Sequence, residues 1–218
     1  MPSYRCAFVV SVSVPWAVAL GSFAAPTAAA TLEVVATPTV ISDGEGKSRV
    51  LLEIGDLSRI RGKVISRATL EIDLPAVEAP RNLPVQVSPL LSSWTAGTAS
   101  WTSPWLNEGG DLDNAYYDIV ELDAGSRGGK LRLNVSSMVR AMAVGEIGEH
   151  GLALTVPEYD AEGFTSGELA ALGSLSSATI LIDYRARSRV ELAQSARGPQ
   201  IRAVPRAEQE GEIEPTAR

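Results

Sequence analysis

Residues 68–74 read Ala-Thr-Leu-Glu-Ile-Asp-Leu; Ala68, Leu70, Ile72 and Leu74 alternate with Thr69, Glu71 and Asp73. A period of two places the apolar side chains on one face of a strand and the polar ones on the other, so one face is buried and one is wet. Pro75 ends the run. The pattern recurs on both sides of it. Val50, Leu52 and Ile54 share a face in residues 48–54, and Val85 and Val87 repeat the alternation in residues 84–91. Leu131, Leu133 and Val135 alternate with Arg132 and Asn134; Leu152, Leu154 and Val156 follow, stopped by Pro157. Ser177–Tyr184 (SATILIDY) is the last strong strand, and 32–36, 98–101 and 115–120 are weaker candidates. About nine short strands between Gly, Pro, Asn and Asp clusters predict an antiparallel sandwich or barrel. One segment is helical: Ser136 or Ser137 caps a short helix through Val144, with Gly145 as its stop.

The ends differ from this middle. Residues 6–31 carry no charge, and the apolar run closes on Pro26-Thr27-Ala28-Ala29-Ala30, with small residues where a leader-cleaving peptidase needs them. Residues 1–30 are therefore read as a signal peptide cut after Ala30, and the protein as secreted or extracytoplasmic, with no membrane association after cleavage; the alternative is an uncleaved membrane anchor, since about 20 apolar residues can span a bilayer. Residues 31–184 form the β-sandwich. Residues 185–218 have no aromatic and few large apolar side chains, and are expected to be a mostly disordered polar tail.

Composition removes several function classes. The 218 residues include one Cys and one His, too few for a Cys/His zinc site, which needs about four such ligands. A disulfide within the chain is impossible, and the lone Cys6 lies in the leader. The net charge of -7 concentrates in residues 31–184, which hold 11 basic and 21 acidic side chains. That balance argues against nucleic acid as a partner. No P-loop or dinucleotide fingerprint is present, and no spacing marks a catalytic carboxylate pair, so no catalytic residue is assigned.

Three segments in order carry a resemblance: VQVSPLLSSWTAGTASWTSP at 85–104, LRLNVSSMVRAMAVG at 131–145, and GLALTVPEYDAEGFTSGE at 151–168 followed by SATILIDY. Together they resemble the DNRLRE domain, a disaggregatase-related family similar to some carbohydrate-binding modules. The resemblance covers roughly residues 32–184. Asn134-Val135-Ser136 stands where that family usually has Asp-Val-Thr. The resemblance implies an exported, all-β, antiparallel jelly-roll-type β-sandwich with one short helix.

Flat aromatic faces stack on sugar rings, and Trp94, Trp101, Trp105, Tyr116 and Tyr117 lie close together in the chain. Trp94 and Trp101 are assigned to packing, since a buried Trp removes about 150–250 Å² from water. Trp105, with Tyr116 and Tyr117, is the expected glycan-stacking group. Asp111, Asp113 and Asp118 have the alternation that lets carboxylates converge on calcium; otherwise no cofactor is implied. Phe164 is expected in the core, and Glu168 is expected to fix its loop by hydrogen bonds. The function expected is non-catalytic binding of an extracellular or cell-surface glycan. The alternatives are a structural or adhesive surface subunit with a protein partner and, third, a polysaccharide-cleaving enzyme.

Overall fold

The computed structural model describes residues 29–126, 128–157, 163–172, 178–188 and 191–192. Most of the expected leader, the start of the Ser177 strand and most of the expected tail lie outside the described residues.

Among the described residues eight antiparallel strands make the fold: β1 Ala29–Ser42, β2 Ser48–Ile54, β3 Val64–Asp73, β4 Leu83–Pro89, β5 Asp118–Leu122, β6 Lys130–Asn134, β7 Leu152–Thr155 and β8 Ala178–Arg185. Their order is β5-β4-β7-β2-β1-β8-β3-β6. The long strand β1 makes the corner. Its first part, to Ala36, pairs with β8, and the part from Ala36 pairs with β2. The ribbon therefore folds over itself into two four-stranded layers, β1-β8-β3-β6 and β2-β7-β4-β5, which is the jelly-roll order.

The inner faces follow the period-two reading. Ala68, Leu70 and Ile72 of β3, Leu131 and Leu133 of β6, and Ile180 and Ile182 of β8 meet Val50, Leu52, Val85, Val87 and Leu154 in one core. A bulge between Ile65 and Arg67 resets the phase of β3, so Ile65 and Ala68 both point inward. Where the two edge strands approach, the Asn134 N–H donates to Asp118 Oδ2 at 2.8 Å.

Helix α1, Ser136–Val144, lies between β6 and β7 and buries Met138, Val139, Ala141 and Met142. It stops at left-handed Gly145, as its sequence predicts. Its start differs from the prediction, because neither serine is the cap. The Asn134 side-chain oxygen accepts the Ser136 N–H at 3.1 Å, while the Ser136 hydroxyl accepts the Ala68 N–H at 2.8 Å.

A second short helix, α2 at Ser166–Leu172, was not foreseen. Its start is a reciprocal cap. The Thr165 N–H donates to Glu168 Oε2 at 2.8 Å and the Glu168 N–H to Thr165 Oγ1 at 3.3 Å. Glu168 is buried, and its other oxygen accepts from Arg81 Nε at 2.8 Å. Burial pushes its carboxyl up, but the Thr165 amide and Arg81 outweigh that and hold it below the usual carboxylate range. Phe164, just before the helix, is fully buried. At the C-terminal side β8 continues through Arg185, whose guanidinium grips Glu191 at 2.7 Å.

Candidate functional site

Strand β2 shows why one outer face matters. Leu51 points away from the main core, yet it is as buried as Leu52. The connection from β4 to β5, residues 90–117, folds back over the outer face of β2 and β7. It encloses a second core of Ile41, Leu51, Leu90, Trp101, Trp105 and Ala153, with Trp94, Ala99 and Leu112 packed against it.

Asp111 organises this connection. Its carboxylate accepts the backbone N–H of Leu106 (3.0 Å), the N–H and side-chain amide of Asn107 (2.8 and 3.1 Å) and the Ser92 hydroxyl (2.8 Å). It is 5% exposed. Burial pushes its carboxyl up, and the donors from Leu106, Ser92 and Asn107 outweigh burial, leaving it below the usual carboxylate range. Arg49 of β2 fills the space beneath. Its guanidinium lies 5.3 Å from the Trp101 ring centre and is buried, a placement that favours cation–π attraction. Gly109 has φ +82°, a conformation that favours glycine, and it lies against the Arg49 guanidinium.

These facts revise the expected site. Trp105 is not an exposed stacking platform: it is 8% exposed, and its indole N–H donates to the Ser100 carbonyl at 2.8 Å. The covering connection buries it together with Trp101. Trp94 is half-buried and donates to the His150 carbonyl at 2.7 Å. Residues 98–101, a candidate strand, are irregular: the Thr98 and Ala99 amides both donate to the Thr95 carbonyl, closing a turn over 95–99. Tyr116 packs partly against the main core and donates its phenol to Glu146 at 2.6 Å, a bond that raises the phenol's pKa. Tyr117 alone of the three expected stacking aromatics presents a large surface, at 57% exposure.

The expected calcium ligands do not converge. Asp111 is engaged on both oxygens, Asp113 accepts the Ala115 N–H in its own turn at 2.9 Å, and Asp118 ties β5 to β6. Among the described residues no group of three or more His, Cys, Asp or Glu side chains could hold a metal ion. Each of the three carboxylates instead accepts a backbone amide in a different place.

Beside the Asp111 turn, the outer face of the sheet forms a cavity of about 330 Å³. Arg49, Gln86, Asn107, Glu108, Asn114 and Thr155 supply its polar lining. Arg49 and Thr155 are buried and fixed, whereas Glu108 and Asn114 are exposed at the rim. Gln86 is oriented by a 3.0 Å bond to Ser88 Oγ. Amides both donate and accept, so this lining can read hydroxyl groups. The residues came unannounced in the sequence, except that an apolar Leu51 at an outward position signals a covered face.

Two other cavities are less suited. One of about 560 Å³ beside the end of α1 is crossed by the 2.8 Å Arg61–Glu149 ion pair. Another, of about 520 Å³, lies on the outer face of the β1-β8-β3-β6 layer. Its groups engage one another: Arg132 with Glu71 at 2.7 Å, Arg67 with Thr69 at 3.2 Å, and Thr31 with Asp183 at 2.6 Å.

The fold and cavity define an all-β jelly roll with a polar cleft over one layer. No family model matches the chain, and no curated protein matches it.

Proposed function

We propose that the protein is an exported, non-catalytic module of DNRLRE type that binds a surface or extracellular glycan in the cleft beside the Asp111 turn. The observation that carries the reading is the lining itself: three amides, a hydroxyl, a carboxylate and a guanidinium around about 330 Å³, within the size range of small-ligand sites. The rigid turn pre-organises Asn107 and so lowers the ordering cost of binding. Recognition in this cleft rests on its polar groups, since Trp105 is occupied in packing. Binding is expected to be independent of calcium.

Asn114→Ala and Gln86→Ala should each weaken binding about tenfold in titration against the saccharide that a glycan array selects. A chelator should leave the affinity unchanged. A folded protein that binds no polysaccharide on the array would sink the reading.

The second reading, a structural or adhesive subunit with a protein partner, is favoured by Leu106. It is 95% exposed on the turn that Asp111 holds. This reading predicts self-association in solution that Leu106→Ser removes, and a strictly monomeric protein counts against it.

A further inference from the structure

The start of β1 carries the inference. Ala29, Ala30 and Thr31 are exposed, Leu32 is the first side chain packed against the core, and Val34 is buried. Ala29 and Ala30 contribute only their ladder positions opposite Arg185 and Tyr184. A chain beginning at Thr31 therefore keeps every core contact of the strand. Thr31 lies opposite Asp183 of β8, and its hydroxyl donates to Asp183 Oδ1 at 2.6 Å.

We infer that the Ala30–Thr31 bond is the processing point, and that Asp183 receives the ammonium group the cut creates. The inference rests on the export reading above. A leader-cleaving peptidase adds water across that amide. The Ala30 carboxylate leaves with the leader, and the Thr31 nitrogen takes up protons to become the new terminal ammonium. Nitrogen and Oγ1 of a threonine sit on adjacent carbons, so the new ammonium lies close to the carboxylate that Oγ1 already meets. An opposite charge that close favours the charged form of the ammonium. Of the charged groups around it, Arg132 is paired with Glu71 and Arg185 with Glu191, whereas Arg67, opposite Asp183 on β3, donates to the neutral Thr69 hydroxyl and keeps its charge beside the carboxylate. Glu33 lies two positions further along β1. Processing thus replaces two ladder positions by an ion pair that pins the strand end against β8.

The test is export of the full chain with its leader, followed by N-terminal sequencing and amine labelling of the mature protein at pH 7. The expected product begins at Thr31. Its α-amine should react about threefold more slowly than in Asp183→Asn, as a pKa raised by half a unit requires. NMR titration of the amine in the unmutated protein gives the same answer without a variant, as a pKa above that of a free threonyl peptide. A mature chain beginning elsewhere overturns the inference and leaves export standing. An unprocessed chain retained in the cell overturns export, and the inference with it. A Thr31 amine as reactive as in Asp183→Asn overturns the role of Asp183.

Discussion

Asp111→Ala is expected to lower the melting temperature by about 6–12 °C, with a red shift of tryptophan emission and little loss of β-sheet signal. The carboxylate takes two backbone N–H groups, a side-chain amide and a hydroxyl from residues 92–107. Without it four part-buried donors lose a shared acceptor, which costs about 3 kcal/mol, or about 2–4 °C per kcal/mol in a chain of this size. The damage should be local. Trp101 and Trp105 pack under the Asp111 turn, whereas the main core lies on the other side of β2 and β7. Fluorescence should therefore report the loss more strongly than far-ultraviolet circular dichroism. Acid should reproduce it. Asp111 titrates below its unfolded value, so its stabilisation is present above that value and disappears as pH falls through the folded one. The tryptophan red shift should begin below about pH 4, the unfolded carboxylate value, and be absent from Asp111→Ala. An unchanged midpoint and emission in the variant would show that the turn is held by something else.

Gly151→Ala is expected to destabilise the protein by about 3 kcal/mol or more, with both cores affected. Gly151 has φ +100°, which an L side chain rarely adopts. A Cβ would also run into the Leu52 carbonyl oxygen and lie 3.3 Å from Trp94 Nε1. The Leu52 carbonyl is backbone in the middle of a strand and cannot move aside without shifting β2. The Gly151 carbonyl also accepts the Leu90 N–H at 3.0 Å, so a displaced backbone here loosens the start of the connection that covers the second core. A denaturant titration should show a lower midpoint with an unchanged slope. A midpoint within error of the unmutated protein would mean that β7 enters the sheet by another path.

Most of the strands were legible because each carries its signal locally. The alternation around Ala68–Leu74 needs only the pleat and a single core. The Ser136–Val144 helix is bounded by Gly145 and by a polar residue two positions before it. The N-cap position falls on Val135, and neither serine caps the helix: the Ser136 hydroxyl is drawn to the Ala68 backbone, and the Asn134 side chain takes the Ser136 N–H. Helix α2 was also legible in principle, because Thr165 and Glu168 make a capping box, but its seven residues give little periodicity.

The site was much less legible. Trp105 follows a proline and precedes a polar stretch, which in one dimension describes an exposed loop residue. Its burial depends on where residues 90–117 travel after β4, and that is settled by contacts with Leu51 and Ala153, which are distant in the chain. Asp111, Asp113 and Asp118 alternate like ligands, yet each is spent on a backbone amide in a different place. Gln86, Asn114 and Thr155 carry no mark of their own, because a cleft formed by four separate segments has no spacing.

By itself the sequence determined the all-β class, most strand positions and the main helix, since pleat, turn and cap are each decided within a few residues. Only the tertiary structure decided which outward faces are covered, which tryptophans are spent on packing and which polar groups share a cleft. Those depend on the closing of long segments over a sheet, where burial is chosen by the whole fold rather than by neighbours in the chain.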